Sequence, residues 1–220
     1  MTALAVLLAT IGAADLVPRW KHLTGAVVAV AGPLVLGAGW HTTWLALVCF
    51  VVLVIWLDAA QQQRPAGVIV LAFTSAALLL ASAGDITGRA PLQDWYDRLP
   101  IRALAEVPID RAALGVGVLL FLTTAANVVV RHALNATGPT VLAEEKTLKG
   151  GRLLGPLERW LVFAFAVGGN LGALGALVAA KGILRFPEIS RDEPDGMRAE
   201  YVLVGSFVSW TLALLLVPLF

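Results

Sequence analysis

Between Lys21 and Asp58 the chain runs through 36 consecutive residues without an Asp, Glu, Lys or Arg. At the helical rise of about 1.5 Å per residue this stretch measures about 54 Å, nearly twice the roughly 30 Å hydrocarbon core of a bilayer. One helix cannot account for it. The natural fold-back is Gly37-Ala38-Gly39-Trp40-His41-Thr42-Thr43-Trp44, where glycines permit a turn and tryptophans suit a membrane interface. The spacing therefore predicts a helix over 23–39, kinked at Pro33, and another over 42–57, with a re-entrant pair as the alternative.

The rest of the chain has the same character. Of its residues 59% are hydrophobic and 14% charged, against about half and a quarter in soluble domains. A soluble chain of this length has too little interior to hide that much apolar surface, whereas lipid solvates it. The apolar runs are continuous and lack the in–out alternation of outer-membrane strands, so the expected fold is all-α. It is a polytopic transmembrane helical bundle of about seven spans, with one short interfacial helix. The other spans are expected at 2–17, 67–84, 112–131, 157–181 and 201–219, forming a single integral membrane domain over 1–220. Four N-terminal helices fall in 1–84, an interfacial loop or helix in 85–111, and three C-terminal helices in 112–220. Pro91–Val107, which carries Leu92, Trp95, Tyr96 and Leu99 on one side and Arg98 and Arg102 on the other, reads as interfacial helix or folded loop. Thr140–Lys149 reads as a short solvated helix.

The net charge of +1 gives no basic surface for a nucleic-acid partner. Cys49 is the sole cysteine and lies in an apolar run, as a small hydrophobe. His22, His41 and His132 have no metal spacing, so neither a metal nor another cofactor is expected, and no catalytic motif is evident. The expected partners are the bilayer and either a second copy or another membrane protein. The first apolar run has its basic residues, Arg19 and Lys21, after it, as a retained helix with an outside N-terminus would. On these spans the basic residues divide eight against eight. One side holds Arg19, Lys21, Arg64, Arg131, Lys146, Lys149, Arg152 and Arg159; the other holds Arg89, Arg98, Arg102, Arg111, Lys181, Arg185, Arg191 and Arg198. The short loops break the tie towards a cytoplasmic C-terminus.

The C-terminal third is the most informative. Ala164, Gly168, Gly172, Ala176 and Ala180 recur every fourth position, a small-residue ridge for close helix packing or an oligomer seam. Asn170 lies mid-helix, where an amide needs an interhelical hydrogen bond. Glu158 and Arg159 open this predicted span and Lys181 and Arg185 follow its end, so the two groups are expected on opposite membrane faces. Glu200 is expected to pair with Arg185 or Lys181. Asp15 and Asp58 near one surface are expected to meet Arg19, Lys21 or Arg64. Thr123, Thr124, Asn127 and Asn170 are the residues that a polar path would use, were the chain a transporter or channel.

The segments Gly151-Arg152-Leu153-Leu154-Gly155-Pro156-Leu157-Glu158-Arg159, Ala179-Ala180-Lys181-Gly182-Ile183-Leu184-Arg185-Phe186 and Ala199-Glu200-Tyr201-Val202-Leu203-Val204-Gly205 resemble the C-terminal signature of an uncharacterised family of bacterial polytopic membrane proteins, defined by a domain of unknown function. Gly182 stands where that signature has serine. The resemblance implies a bacterial plasma-membrane protein and singles out Glu158, Arg159, Lys181, Arg185 and Glu200. It implies no reaction, and a non-enzymatic scaffold or complex subunit is the first expectation for function.

Overall fold

The computed structural model describes residues 1–16, 19–37, 42–81, 91–101, 104, 106–137, 151–190 and 197–220. Among them every regular element is helical: α1 Thr2–Leu16, α2 Lys21–Val35, α3 Thr42–Gln61, α4 Ala66–Ala81, α5 Gln93–Tyr96, α6 Ile109–Thr123, α7 Ala125–Thr137, α8 Gly151–Val167, α9 Leu171–Ser190 and α10 Met197–Leu215, with a 3-10 turn at Val217–Leu219. Among the described residues two helices, over 43–61 and 202–219, are long and apolar enough to cross a membrane. They become three if α6 and α7, interrupted at Thr124, form one span. The shorter helices α1, α2 and α4 are apolar as well. Large apolar side chains stand on the surface, with Phe73 73% and Leu80 82% exposed. Such a surface suits lipid, not water.

The chain divides into two compact units, 1–125 and 126–220. In the first, α1 is the core. It is apolar on all sides, and a helix of that kind is stable only when enclosed. Leu4, Leu7, Leu8 and Ile11 are buried, and α2, α3, α4 and α6 pack around them. Its closest neighbour is α6, which runs parallel to it. A Cβ on Gly117 would come within 2.5 Å of the Ala5 carbonyl oxygen, and one on Gly12 within 2.5 Å of the Leu120 backbone. One helical stretch further along, the Thr124 hydroxyl donates to the Gly12 carbonyl at 2.7 Å and to Leu120 at 3.1 Å. Thr124 thereby ends α6, which divides the span expected at 112–131.

Helix α2 stops at Val35 and does not continue kinked to residue 39. Pro33 removes an amide donor in its last turn, and Gly37, at φ 72°, takes the left-handed turn that ends it. The chain then returns, since α3 packs on α2. The indole of Trp56, fully buried, donates to Asp15 Oδ2 at 3.1 Å. Asp58 accepts from Gln62 instead, so the two carboxylates take different partners. Among the described residues, the amphipathic segment after Pro91 forms a single α-helical turn, Gln93–Tyr96. The Tyr96 hydroxyl folds it into a loop by donating to the Val107 carbonyl at 2.9 Å. The helix expected at Thr140–Lys149 lies outside the described residues, as does His41.

Replacing Gly12 with alanine puts a methyl group into the Leu120 backbone, which cannot swing aside as a side chain does. The expected loss is about 1–3 kcal/mol, read as a lower Tm of detergent-solubilised protein. Gly182→Ala, where none of the described residues lies within 4 Å of an added Cβ, serves as the neutral comparison. Equal melting of the two variants would contradict the close α1–α6 contact.

Candidate functional site

The apolar run from Trp160 to Ala180 looks continuous, yet it contains a complete chain reversal. Gly169 adopts φ +66°, which an L side chain resists. Around it, the Gly169 amide donates to Ala166 O at 3.1 Å and the Asn170 amide to Phe165 O at 2.8 Å. This pair of bonds closes the C-terminus of α8 in a Schellman motif. Asn170 then starts the next helix, its Oδ1 accepting from the Ala173 amide at 3.1 Å as a helix N-cap. One asparagine therefore serves two helix ends. The continuous span expected at 157–181 is replaced by an α8–α9 hairpin, and Asn170 is a local cap instead of an interhelical clasp.

The reversal brings together the residues that a straight helix would separate. Glu158 and Lys181 are each about eleven residues from the turn, and the Lys181 ammonium donates to Glu158 Oε2 in an ion pair, both side chains largely buried at 20% and 16% exposure. The Lys181 ammonium also lies 5.2 Å from the centroid of the Trp210 ring on α10, within cation–π range. Phe207 meets the same ring edge-on, with centroids 5.9 Å apart. The Trp210 indole nitrogen is buried and has no acceptor among the described residues.

Arg159 points to the other side of α8 and is 2% exposed. Its Nη2 donates to Asn127 Oδ1 on α7 at 2.7 Å, and its Nη1 to Ser209 Oγ on α10 at 3.2 Å. Gly155, one turn earlier, borders this cluster: a Cβ there would make ordinary contact, 3.7 Å from Nη1 and 4.0 Å from Asn127 Oδ1. A guanidinium carries five donors in a rigid fork, so it can bind two helices at once where a lysine would serve as a point charge.

Of the charges singled out by the sequence, Glu158, Arg159 and Lys181 gather around α8. Arg185 sits one turn beyond Lys181, half-buried, and Glu200 is exposed in the first turn of α10. Of the two partners predicted for Glu200, Arg185 or Lys181, the second pairs with Glu158 instead, because the hairpin carries Lys181 back beside α8. Asn127 and Ser209 were not expected as partners of Arg159, and Trp210 was not expected as a partner of Lys181. The clue available was their burial-prone spacing on flanking helices, which points inward without identifying the partner. The residues proposed for a polar path are engaged in hydrogen bonds, two within a turn of helix and two between helices: Thr123 with Leu119 and Asn170 with Ala173, Thr124 with Gly12 and Asn127 with Arg159. His132 Nδ1 lies 2.8 Å from the Val128 carbonyl. Among the described residues no group of three or more His, Cys, Asp or Glu could hold a metal.

The small-residue ridge is divided by the same turn. Ala164 lies in α8 and Gly168 at the turn, while Gly172, Ala176 and Ala180 share one face of α9, and that face is exposed. No family model matches the chain, and no curated protein or solved structure does.

Lys181→Met would leave the Glu158 carboxylate largely buried without its cation, and the expected destabilisation is about 3–5 kcal/mol. Glu158→Gln combined with Lys181→Met should cost well under the sum of the single changes, since the pair is lost only once. Additive denaturation midpoints in such a double-mutant cycle would show that the pair has no energetic coupling.

Proposed function

We propose that the chain is a multi-pass protein of the bacterial plasma membrane that works as a non-enzymatic component of a membrane assembly. The observation that carries this reading is the bare face of α9. Its inward stripe, Leu174, Leu177 and Lys181, faces α8 and α10, while Gly172, Ala176 and Ala180 are left exposed on the other side. Among the described residues, a Cβ on Gly172 would meet only the Asn170 side chain, at 3.9 Å. In lipid, large side chains such as Leu171, Ile183 and Leu184, which are 71–76% exposed, are well solvated by acyl chains. A flat row of small residues is not, and gains more by letting another helix backbone approach. A transmembrane helix of a partner is the occupant that this face fits. The C-terminal resemblance to a polytopic bacterial family agrees with the location, as does the apolar surface of the described helices.

The test uses Ala176→Cys in a Cys49→Ser background, which removes the chain's own cysteine. Thiol crosslinking in intact membranes should give one discrete adduct, a dimer of this chain or a complex with another membrane protein. Adding Gly172→Phe should abolish it. Protein that stays monomeric and captures nothing under these conditions would overturn the assembly role.

A further inference from the structure

The hairpin changes which side of the membrane each C-terminal residue occupies. A single span over 157–181 would carry the chain from one face to the other, whereas α8 and α9 return it to the face it left. Two independent observations support the return. The first is the Glu158–Lys181 ion pair, which joins residues that a straight helix would hold about 34 Å apart. The second is the direction of α10. The Arg159 guanidinium reaches both Asn127 and Ser209, and Leu134 lies near Gly205, with its Cδ1 3.9 Å from an added Cβ. As α7 advances from 127 to 134, α10 recedes from 209 to 205, so these helices are antiparallel. With one intervening span, they would run parallel.

We infer that α8 and α9 form a membrane hairpin whose two ends emerge on one face, so that Glu158, Arg159, Lys181, Arg185 and Glu200 belong to the cytoplasmic side, and Met1 and Phe220 both lie outside. This rests on the multi-pass reading above. The direction follows from charge. With a single span the sixteen basic residues split eight against eight, which leaves orientation to the short loops alone. The hairpin moves Lys181, Arg185, Arg191 and Arg198 to the side that already holds Arg19, Lys21, Arg64 and Arg131. The split becomes twelve against four, and basic residues flanking spans are retained in the cytoplasm. The orientation of Met1 agrees with the sequence expectation, whereas that of Phe220 reverses it. Whether the turn at Gly168–Asn170 stops within the bilayer or reaches its far surface, the hairpin returns to its starting face.

Leu154 and Phe186 are exposed, at 49% and 66%, and lie on the two limbs beyond the ion pair. Leu154→Cys and Phe186→Cys, each in the Cys49→Ser background, would be treated with a membrane-impermeant maleimide. Both should be labelled in inverted vesicles and protected in intact cells. Labelling from opposite sides would overturn the hairpin, and labelling of both in intact cells would overturn the orientation. A second measurement leaves the chain unaltered: alkaline phosphatase fused after Phe220 should be active and a fluorescent protein fused there dark. The reverse pattern places Phe220 inside and rejects the proposal. Alkaline carbonate extraction separates the premise from the inference, because a chain released by carbonate is not integral at all, whereas one retained with Phe220 inside refutes the proposed topology and leaves the membrane premise standing. The two cysteine labels then say whether the hairpin or only its orientation is wrong.

Discussion

A chain surrounded by apolar groups can change direction only where the backbone amides and carbonyls released at a helix end find new partners. This requirement governs the C-terminal unit. At Gly168-Gly169-Asn170 the last carbonyls of α8 are taken by the Gly169 and Asn170 amides, and an amide at the start of α9 is taken by the Asn170 side chain. The turn is short because each of its residues is used. Once it forms, the limbs must lie side by side, and Lys181 arrives opposite Glu158. Both the ion pair and the proximity of Lys181 to Trp210 follow from three residues that carry no charge.

The first unit meets the same physical demand differently. Its centre, α1, uses close backbone approach: Gly12 and Gly117 remove the side chains that would keep α6 away, and Thr124 then bonds across the contact. Dispersion contacts between closely fitted helices do not depend on water, so packing of this kind serves equally well in lipid. It also explains why α1 shows no polar side. A helix enclosed by four others has no solvent-facing surface to mark.

How much of this was legible in the sequence varies by element. The first four helices could be read because each is bounded by charges, glycines or prolines, and the structure reproduces them as helices to within a few residues, α2 ending at Val35 and α3 continuing to Gln61. The C-terminal unit was less legible. Hydropathy reports only that Trp160–Ala180 is apolar, and a hairpin buried in apolar surroundings gives the same profile as one span. The Gly-Asn dipeptide was the available signal, a residue free to take positive φ followed by a good N-cap. It was outweighed by the four-residue periodicity of the small side chains, which runs across the turn by coincidence. The charged residues singled out by the sequence included the right ones around α8, but their pairing depends on the reversal and could not be read before it.

Arg159 shows why the polar residues of this unit are better understood as architecture than as a path for solutes. Enclosing a guanidinium in a helical cluster is costly, and apolar residues would often give equal or greater stability. What Arg159 supplies is register. The faces of α7, α8 and α10 are rich in Leu, Val and Ala, and such faces tolerate sliding and rotation with little change in packing energy. Bonds to Asn127 on one side and Ser209 on the other allow only one rotation of α8 between its neighbours. On the adjacent position, Glu158 fixes α9 through Lys181 in the same way. Two consecutive residues therefore hold three helices against α8, and the outward face of α9 from Gly172 to Ala180 carries small side chains.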